Sequence, residues 1–461
     1  MNAYAAAIDA SADDLVGGVA YPPHFHREQM PLWLHATATA LGHAAPDPSR
    51  PYRWCELGCG AGLTARVAAA CNPTGHFTAI DMDAAQIARA RAAAADDGLE
   101  NLAFVEADLR DPALRDGAPF DFVVLHGVWA WVDATVRAAI LALLQARLAP
   151  GGLVAVGYMS HPGASPLQGA QRLLAEAARH LEGDPETRVR QALGLLRALA
   201  DAGAGFFAEH PGALRQLEAM ERESPAYLVH EFLGAHWQPQ HAADTIRAFA
   251  GTGCAFIGSA TPIENIDALS VPAALQPHLR TLPPGPLAET ARDLARNQSL
   301  RRDLFQRVQP GADAPHRLDP VAHLAALDAL RFAALPGAPA AADHGLRLDT
   351  RIGPVDAPGG WVGPVLRALA DGPQRFEALR RLPPFAEAPG LLNQVLQLLM
   401  WAGHVHPLHA AADTADMSHA FAMRAPSAPA DGLQRLPAAG TAVPAGAARA
   451  PHPSHPSGAP R

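Results

Sequence analysis

The sequence predicts an α/β chain built on a parallel sheet, followed by a mostly helical region and a winged-helix-like C-terminal region. Three observations carry this. Up to about Pro166, short β-branched or apolar runs alternate with alanine-rich helical patterns, the signature of a sheet covered on both faces. From about Leu167 to Arg247, Leu, Ala, Arg and Glu recur at helical spacing, with breakers at Gly183-Asp184-Pro185 and His210-Pro211-Gly212. Beyond a Gly/Pro/Ala-rich connector, three helical stretches lead into one strand-like run.

The elements follow in order. Arg53–Leu57, Phe77–Asp81, Leu102–Glu106, Phe120–His126 and Leu153–Tyr158 read as strands, because each is a short apolar run bounded by turn residues. Leu63–Ala70, Ala84–Ala95 and Ala134–Leu148 read as the helices between them. Cys254–Gly258 is one further strand candidate, with helices continuing to about Leu335. Trp361–Leu369, Arg375–Leu382 and Gly390–Ala402 read as helices and His404–Leu408 as a strand. Gly390–Ala402 contains no arginine, which argues for packing rather than groove reading. The implied organisation is a ligand-binding domain over 1–166, a mostly helical domain over 167–335, a linker over 336–358, a winged-helix-like domain over 359–424 and a disordered tail over 425–461. The tail is Ala, Pro, Gly, Ser and His, a composition short of the apolar surface that offsets chain entropy.

The chain has 461 residues, with 36 basic and 45 acidic side chains and a net charge of −9. Every basic residue among the 36 is arginine. The absence of lysine excludes a P-loop nucleotidase and a protein kinase in their usual forms, because each needs a lysine on phosphate. Schiff-base and pyridoxal phosphate chemistry fall with them. The acidic balance disfavours nucleic acid and anionic membranes as partners. Cys55, Cys59, Cys71 and Cys254 form no CxxC pair and no metal-ligand set, which suits a reducing, cytoplasmic compartment. Neither a signal peptide nor a run of about 20 apolar residues stands out.

The chemistry concentrates in Trp54-Cys55-Glu56-Leu57-Gly58-Cys59-Gly60-Ala61-Gly62-Leu63, where the first strand turns into a helix. Glycines let the backbone turn sharply and approach a ligand, and the helix N-terminus presents its amides. The spacing is GxGxG, with Leu63 where a nicotinamide-type loop has its third glycine. Glu56 precedes the loop, a carboxylate that suits an ammonium and opposes a diphosphate. Asp81 ends the second strand, where a ribose-hydroxyl acceptor belongs, and Asp108 follows the third.

This order resembles the class I S-adenosylmethionine-dependent methyltransferases, over about Ala20–Pro162, so the sheet is expected to be the Rossmann-like one of that class. The resemblance implies Gly58, Gly60 and Gly62 with Cys59 against the methionine part of S-adenosylmethionine and Glu56 near its ammonium. It implies Asp81 at the ribose, Asp108 and Leu109 at the adenine, and Tyr21, Met82 and His126 also on the cofactor. Ala149-Pro150-Gly151-Gly152 matches the turn before the family's fifth strand. A narrower resemblance is to methyltransferases with a methyltransferase regulatory domain, a group that includes rickettsial protein lysine methyltransferases. It rests on Tyr21–Pro31, on Phe120–Val132 and on Ser224–Leu233. The chain departs from that group at Gly157-Tyr158-Met159-Ser160-His161-Pro162-Gly163, where the family often has Ser-Tyr-Asn-Thr-x-Pro-Gly.

His126, at the carboxyl end of the fourth strand, is the candidate base, with Tyr158 as a second catalytic candidate. Trp129, Trp131 and His26 are candidates for the acceptor side, where aromatic faces attract cations. Tyr227, His230 and Glu231 suit a packing and capping cluster. The expected activity is methyl transfer to a protein side chain, a lysine amine being favoured, because a small acceptor does not need the extra domains. A small-molecule or glycan acceptor and a non-catalytic cofactor-binding regulator stand beside it.

Overall fold

The computed structural model describes Val19 and residues 22–312, 314–410 and 431–445. Its centre is a seven-stranded sheet in the order β3-β2-β1-β4-β5-β7-β6. The strands are β1 (Tyr52–Leu57), β2 (Gly75–Asp81), β3 (Leu102–Glu106), β4 (Phe120–His126), β5 (Leu148–Met159), β6 (Cys254–Ser259) and β7 (Leu300–Arg307). The first five are parallel, and β7 runs antiparallel between β5 and β6. The five strands and three helices legible in the first 166 residues are all present. Asp83 and Asp133 start two of those helices, their carboxylates accepting from the N–H groups of Ala85 and Gln86 and of Val136.

The sheet does not end where the sequence suggested. Its last two strands come from 254–307, within the region read as mostly helical. Cys254–Gly258 was legible as a strand; Leu300–Arg307 was not. Its inward side chains include Arg301 and Asp303, both buried and bonded to each other at 2.7 Å, so the strand lacks an apolar run. The helices from Leu167 to Ala250 are therefore an insertion between β5 and β6. They enclose a core of their own, with Leu174, Val189, Leu196, Leu217 and Phe232. Trp131 and Met159 pack against both this core and the sheet.

The C-terminal region is bound into the same body. β8 (Arg331–Ala334) is the middle strand of a second sheet, between β11 (Gln374–Arg375) and β12 (Val405–Leu408). The helices Gly359–Ala370 and Pro389–Trp401 appear close to the expected positions, but β8 lies outside 359–424. The expected linker over 336–358 contains a hairpin, β9 (Leu346–Thr350) against β10 (Gly353–Ala357). One apolar cluster runs from Trp33 through Trp54, Phe122 and Leu304 to Phe332, Leu399 and Leu433.

The expected disordered tail also needs correcting where it is described. β13 (Leu433–Leu436) and β14 (Thr441–Pro444) form a hairpin turned by Gly440 at φ 58°. It lies on the Leu63–Cys71 helix, where the Gly440 carbonyl accepts from Asn72 at 3.2 Å. Small residues succeed here because the helix face is itself alanine-rich, so Ala439 and Ala442 bury closely. The rest of 425–461 lies outside the described residues, as does Tyr21. Among the described residues no helix is long and apolar enough to cross a membrane.

Leu436 is 1% exposed. Leu436→Ala is expected to cost about 2–4 kcal/mol, as large-to-small core changes do. Urea denaturation measures it, and an unchanged midpoint would mean the hairpin is not part of the cooperative fold.

Candidate active site

The site forms at the carboxyl ends of the parallel strands, between β1 and β4, where the strand order reverses. Open α/β sheets place their ligand crevice there. After Glu56 the backbone turns through Gly58, Gly60 and Gly62, at φ 75°, 51° and 71°. The three glycines serve different ends. A Cβ on Gly58 would collide with Val128, and one on Gly62 with Phe104. A Cβ on Gly60 would meet no atom within 4 Å, so this glycine faces the open crevice. The Ile80 carbonyl accepts from the N–H groups of Gly58 and Cys59, and Asp81 accepts from the Gly60 N–H at 2.7 Å. Asp81 thus braces the loop whose ligand it was expected to share.

Glu56 is 7% exposed, and its Oε2 has no hydrogen-bond partner. Burial raises its carboxyl to about 8; Asp81 adds to the rise and the Ala65 N–H opposes it. A buried acceptor without a donor, at the turn into a ligand loop, fits a cationic group arriving from the crevice. Burial, with Glu56 and Asp81 beside it, likewise keeps the Cys59 thiol protonated.

Met82 is 69% exposed, an apolar side chain held out at the crevice rim. Asp108 is not the open acceptor expected: Arg110 donates to it from Nε at 3.0 Å and from Nη2 at 2.6 Å. That hydrogen bonding holds its carboxyl below the usual range. Leu109 is half-buried beside it.

His126 ends β4, with its ring over Gly157 of β5, where any Cβ would collide with it. His26 packs against it with the ring tilted by 37°, the centroids 3.8 Å apart, and His24 follows at 4.7 Å from His26. Burial and the Arg302 guanidinium push the imidazole of His126 well below its usual range; His26 is lowered by burial, His126, His24 and Arg302. Both rings are neutral at pH 7. Burial opposes the charge of Glu28 beside them, yet Arg302 and Arg27 outweigh it and hold its carboxyl at about 2. Glu28, Arg302 and the neighbouring Gln29 line this pocket and were not foreseen. Arg302 sits on the strand that the sequence reading missed, and no local pattern marks it.

Two expected site residues lie elsewhere. Tyr158 is fully buried and donates to Asp303 Oδ2 at 2.6 Å, a core position with no opening to substrate. Trp129 is 2% exposed, edge-on to Phe249, with its Nε1 3.4 Å from Thr245 Oγ1. Trp131 is half-buried at the seam with the helical insertion. His230 ties that insertion to the N-terminal segment, donating to the Val19 carbonyl at 2.8 Å.

The Glu56 carboxyl is raised on folding from an ordinary 4.5 to about 8. The folded state therefore binds more protons between those values, so this group's contribution is fully present below about 4.5 and lost as pH rises through about 8. Urea denaturation at pH 5 and pH 9 is expected to show a smaller loss for Glu56→Gln than for the parent. Equal losses would contradict the raised carboxyl.

Comparison with known proteins agrees with this geometry. Residues 55–154 match the family described as a methyltransferase domain, and residues 224–307 match the predicted methyltransferase regulatory domain. An uncharacterized protein of Synechocystis sp. is 28% identical, over 84% of this chain and 75% of its own length. An uncharacterized protein of Rickettsia prowazekii is 24% identical, over 47% of this chain and 86% of its own. Among solved structures, PKMT2 from Rickettsia typhi in complex with AdoHcy superposes with a TM-score of 0.64 at 17% identity, covering 84% of this chain and 77% of that one. The chain carries a match to a methyltransferase domain and a match to the predicted methyltransferase regulatory domain, on a fold shared with PKMT2, which supports an S-adenosylmethionine-dependent methyltransferase.

Proposed function

We propose that the chain methylates a protein side chain, with a lysine amine as the acceptor. Bound S-adenosylmethionine supplies an electrophilic methyl group on a sulfonium. The Glu56 carboxylate, with its Oε2 unpartnered, carries the placement of that donor, since it answers the donor's ammonium. Gly58 and Gly62 keep the loop shape, Gly60 lets the backbone approach, and Asp81 fixes the Gly60 amide. Met82 and Leu109 offer apolar cover for the adenine, with Asp108 shared between Arg110 and the ligand. On the acceptor side, His126 and His26 present neutral rings whose ring nitrogens can hydrogen-bond the acceptor and orient it, while burial and Arg302 keep them from holding its proton.

A protein acceptor is supported by the helical insertion. It docks beside the carboxyl ends of β4 and β5, the Gln238 N–H donating to the Ala130 carbonyl at 2.7 Å and the Gln240 N–H to the Met159 carbonyl at 2.9 Å. A small acceptor needs no such wall. The likeness to PKMT2 adds to this reading.

Incubating a cell lysate with the enzyme and methyl-labelled S-adenosylmethionine tests it. Label is expected on protein, as methyl-lysine. Label confined to the small-molecule fraction overturns the protein acceptor. Because the chain has no lysine, any methyl-lysine belongs to another protein.

Donor binding has its own signature. With its carboxyl at about 8, Glu56 is mostly protonated at pH 7 in the free protein. Answering an ammonium requires the carboxylate, so binding at pH 7 is expected to release close to one proton. Calorimetry in buffers of different ionisation enthalpy counts it. The release should vanish in Glu56→Gln; proton-neutral binding at pH 7 would remove Glu56 from the ammonium site.

A further inference from the structure

The acceptor side of the crevice holds more positive charge than its carboxylates answer. Arg302 stands opposite Gly157 in the register of β7 on β5. Its side chain lines a cavity with His26, Glu28, Gln29, His126 and Gly157. It is half-buried, its Nε is buried without a hydrogen-bond partner, and among the described residues it makes no ion pair. The carboxylates around it have other cations to serve. Glu28 is shared with Arg27, whose Nε lies 3.8 Å away, so these three residues leave one positive charge over. Glu264 is shared between Arg296 and Arg351, and Asp303, on the opposite face of β7, accepts from Arg301 at 2.7 Å.

The cavity has a volume of about 10 Å³, close to the room a single water needs. An ammonium entering it leaves its hydration shell behind and meets a guanidinium that cannot be deprotonated. Desolvation and a like charge act in the same direction, toward the neutral amine. His126 reports that field: burial, Arg302 and His24 all keep its imidazole uncharged, and no carboxylate among the described residues opposes them. His24 and His26 feel Glu28 as well, yet burial and Arg302 prevail over it. We propose that Arg302 makes this pocket accept an amine only in its neutral form, so that the acceptor nitrogen sheds its proton to water on entry. The proposal rests on the reading above that an amine meets His126. The N–H bond that breaks is the acceptor's own. Its electron pair stays on nitrogen as the lone pair that methyl transfer uses, and the proton leaves through the mouth of the crevice. Arg302 acts here through its charge, without touching the transferred group.

The test compares the full chain with Arg302→Gln and Arg302→Met, two uncharged replacements that differ in hydrogen bonding. Initial rates of methyl labelling of a cell lysate, at saturating S-adenosylmethionine, are followed from pH 6 to pH 10. Both variants should move the rising limb of the profile to higher pH, by about one unit or more. The rate at pH 7 should then fall about tenfold and recover toward the parent's at pH 10. Imidazole NMR, with the His126 signal assigned by its loss in His126→Gln, supplies a readout that needs no acceptor. The protonation midpoint of His126 should rise in both variants. A rate lowered equally at every pH, or a shift in one variant and not the other, overturns the proposal. So does a His126 midpoint that stays in place, or one that moves while the labelling profile does not. The protein-acceptor reading fails separately, on where the label lands rather than on how its rate depends on pH.

Discussion

The hydrogen-bonding of β7 between β5 and β6 is the constraint on which the architecture depends. β5 carries its partner strand β4 and the end of the crevice; β6 carries the exit from the helical insertion. Pairing both to one antiparallel strand closes a long excursion of the chain back onto the sheet. Closing such an excursion costs entropy that only a cooperative set of contacts offsets. Arg301 shows how tightly the strand is held: buried at 2% exposure, it donates to Asp303, to Asp293 and to Glu289 on the preceding helix. A charge so placed is stable only while all its partners stay, so β7 and the Pro286–Arg296 helix move together or not at all.

The crevice follows the opposite rule. Its key carboxyl has neither solvent nor a full set of donors, and two imidazoles at the end of β4 are kept uncharged by burial and a guanidinium. Groups left unsatisfied in this way reduce the stability of the empty protein and favour a ligand that completes them. The rigid sheet and the unsatisfied crevice belong together, because a soft scaffold would relax Glu56 toward water.

The sequence made the nucleotide-binding half legible and the rest only partly so, for physical reasons. β1–β5 alternate with helices whose caps and apolar runs are local, and the Glu56–Gly62 turn is a local motif. β7 was hidden because its buried positions are filled by mutually neutralising charges. Trp129 and Tyr158 were misread because an aromatic beside a strand end looks the same whether its ring meets solvent or Phe249 and Asp303. The 431–445 hairpin escaped because composition averaged over a long tail conceals a short strand pair fitted to an alanine-rich helix. Glu28 and Arg302 matter through a long-range meeting that no spacing encodes.

The hairpin has a consequence for how the protein is made. The Thr441 carbonyl accepts from Cys71, 370 residues earlier in the chain. The helix that opens at Gly62 is thus covered by chain that leaves the ribosome long after it. At about 5–20 residues per second, the interval is roughly 20–75 seconds. Through that time the helix beneath the ligand loop stays bare on one side, and a nascent chain stalled before residue 431 has a loop without its backing. Completion of this crevice is therefore coupled to the progress of translation.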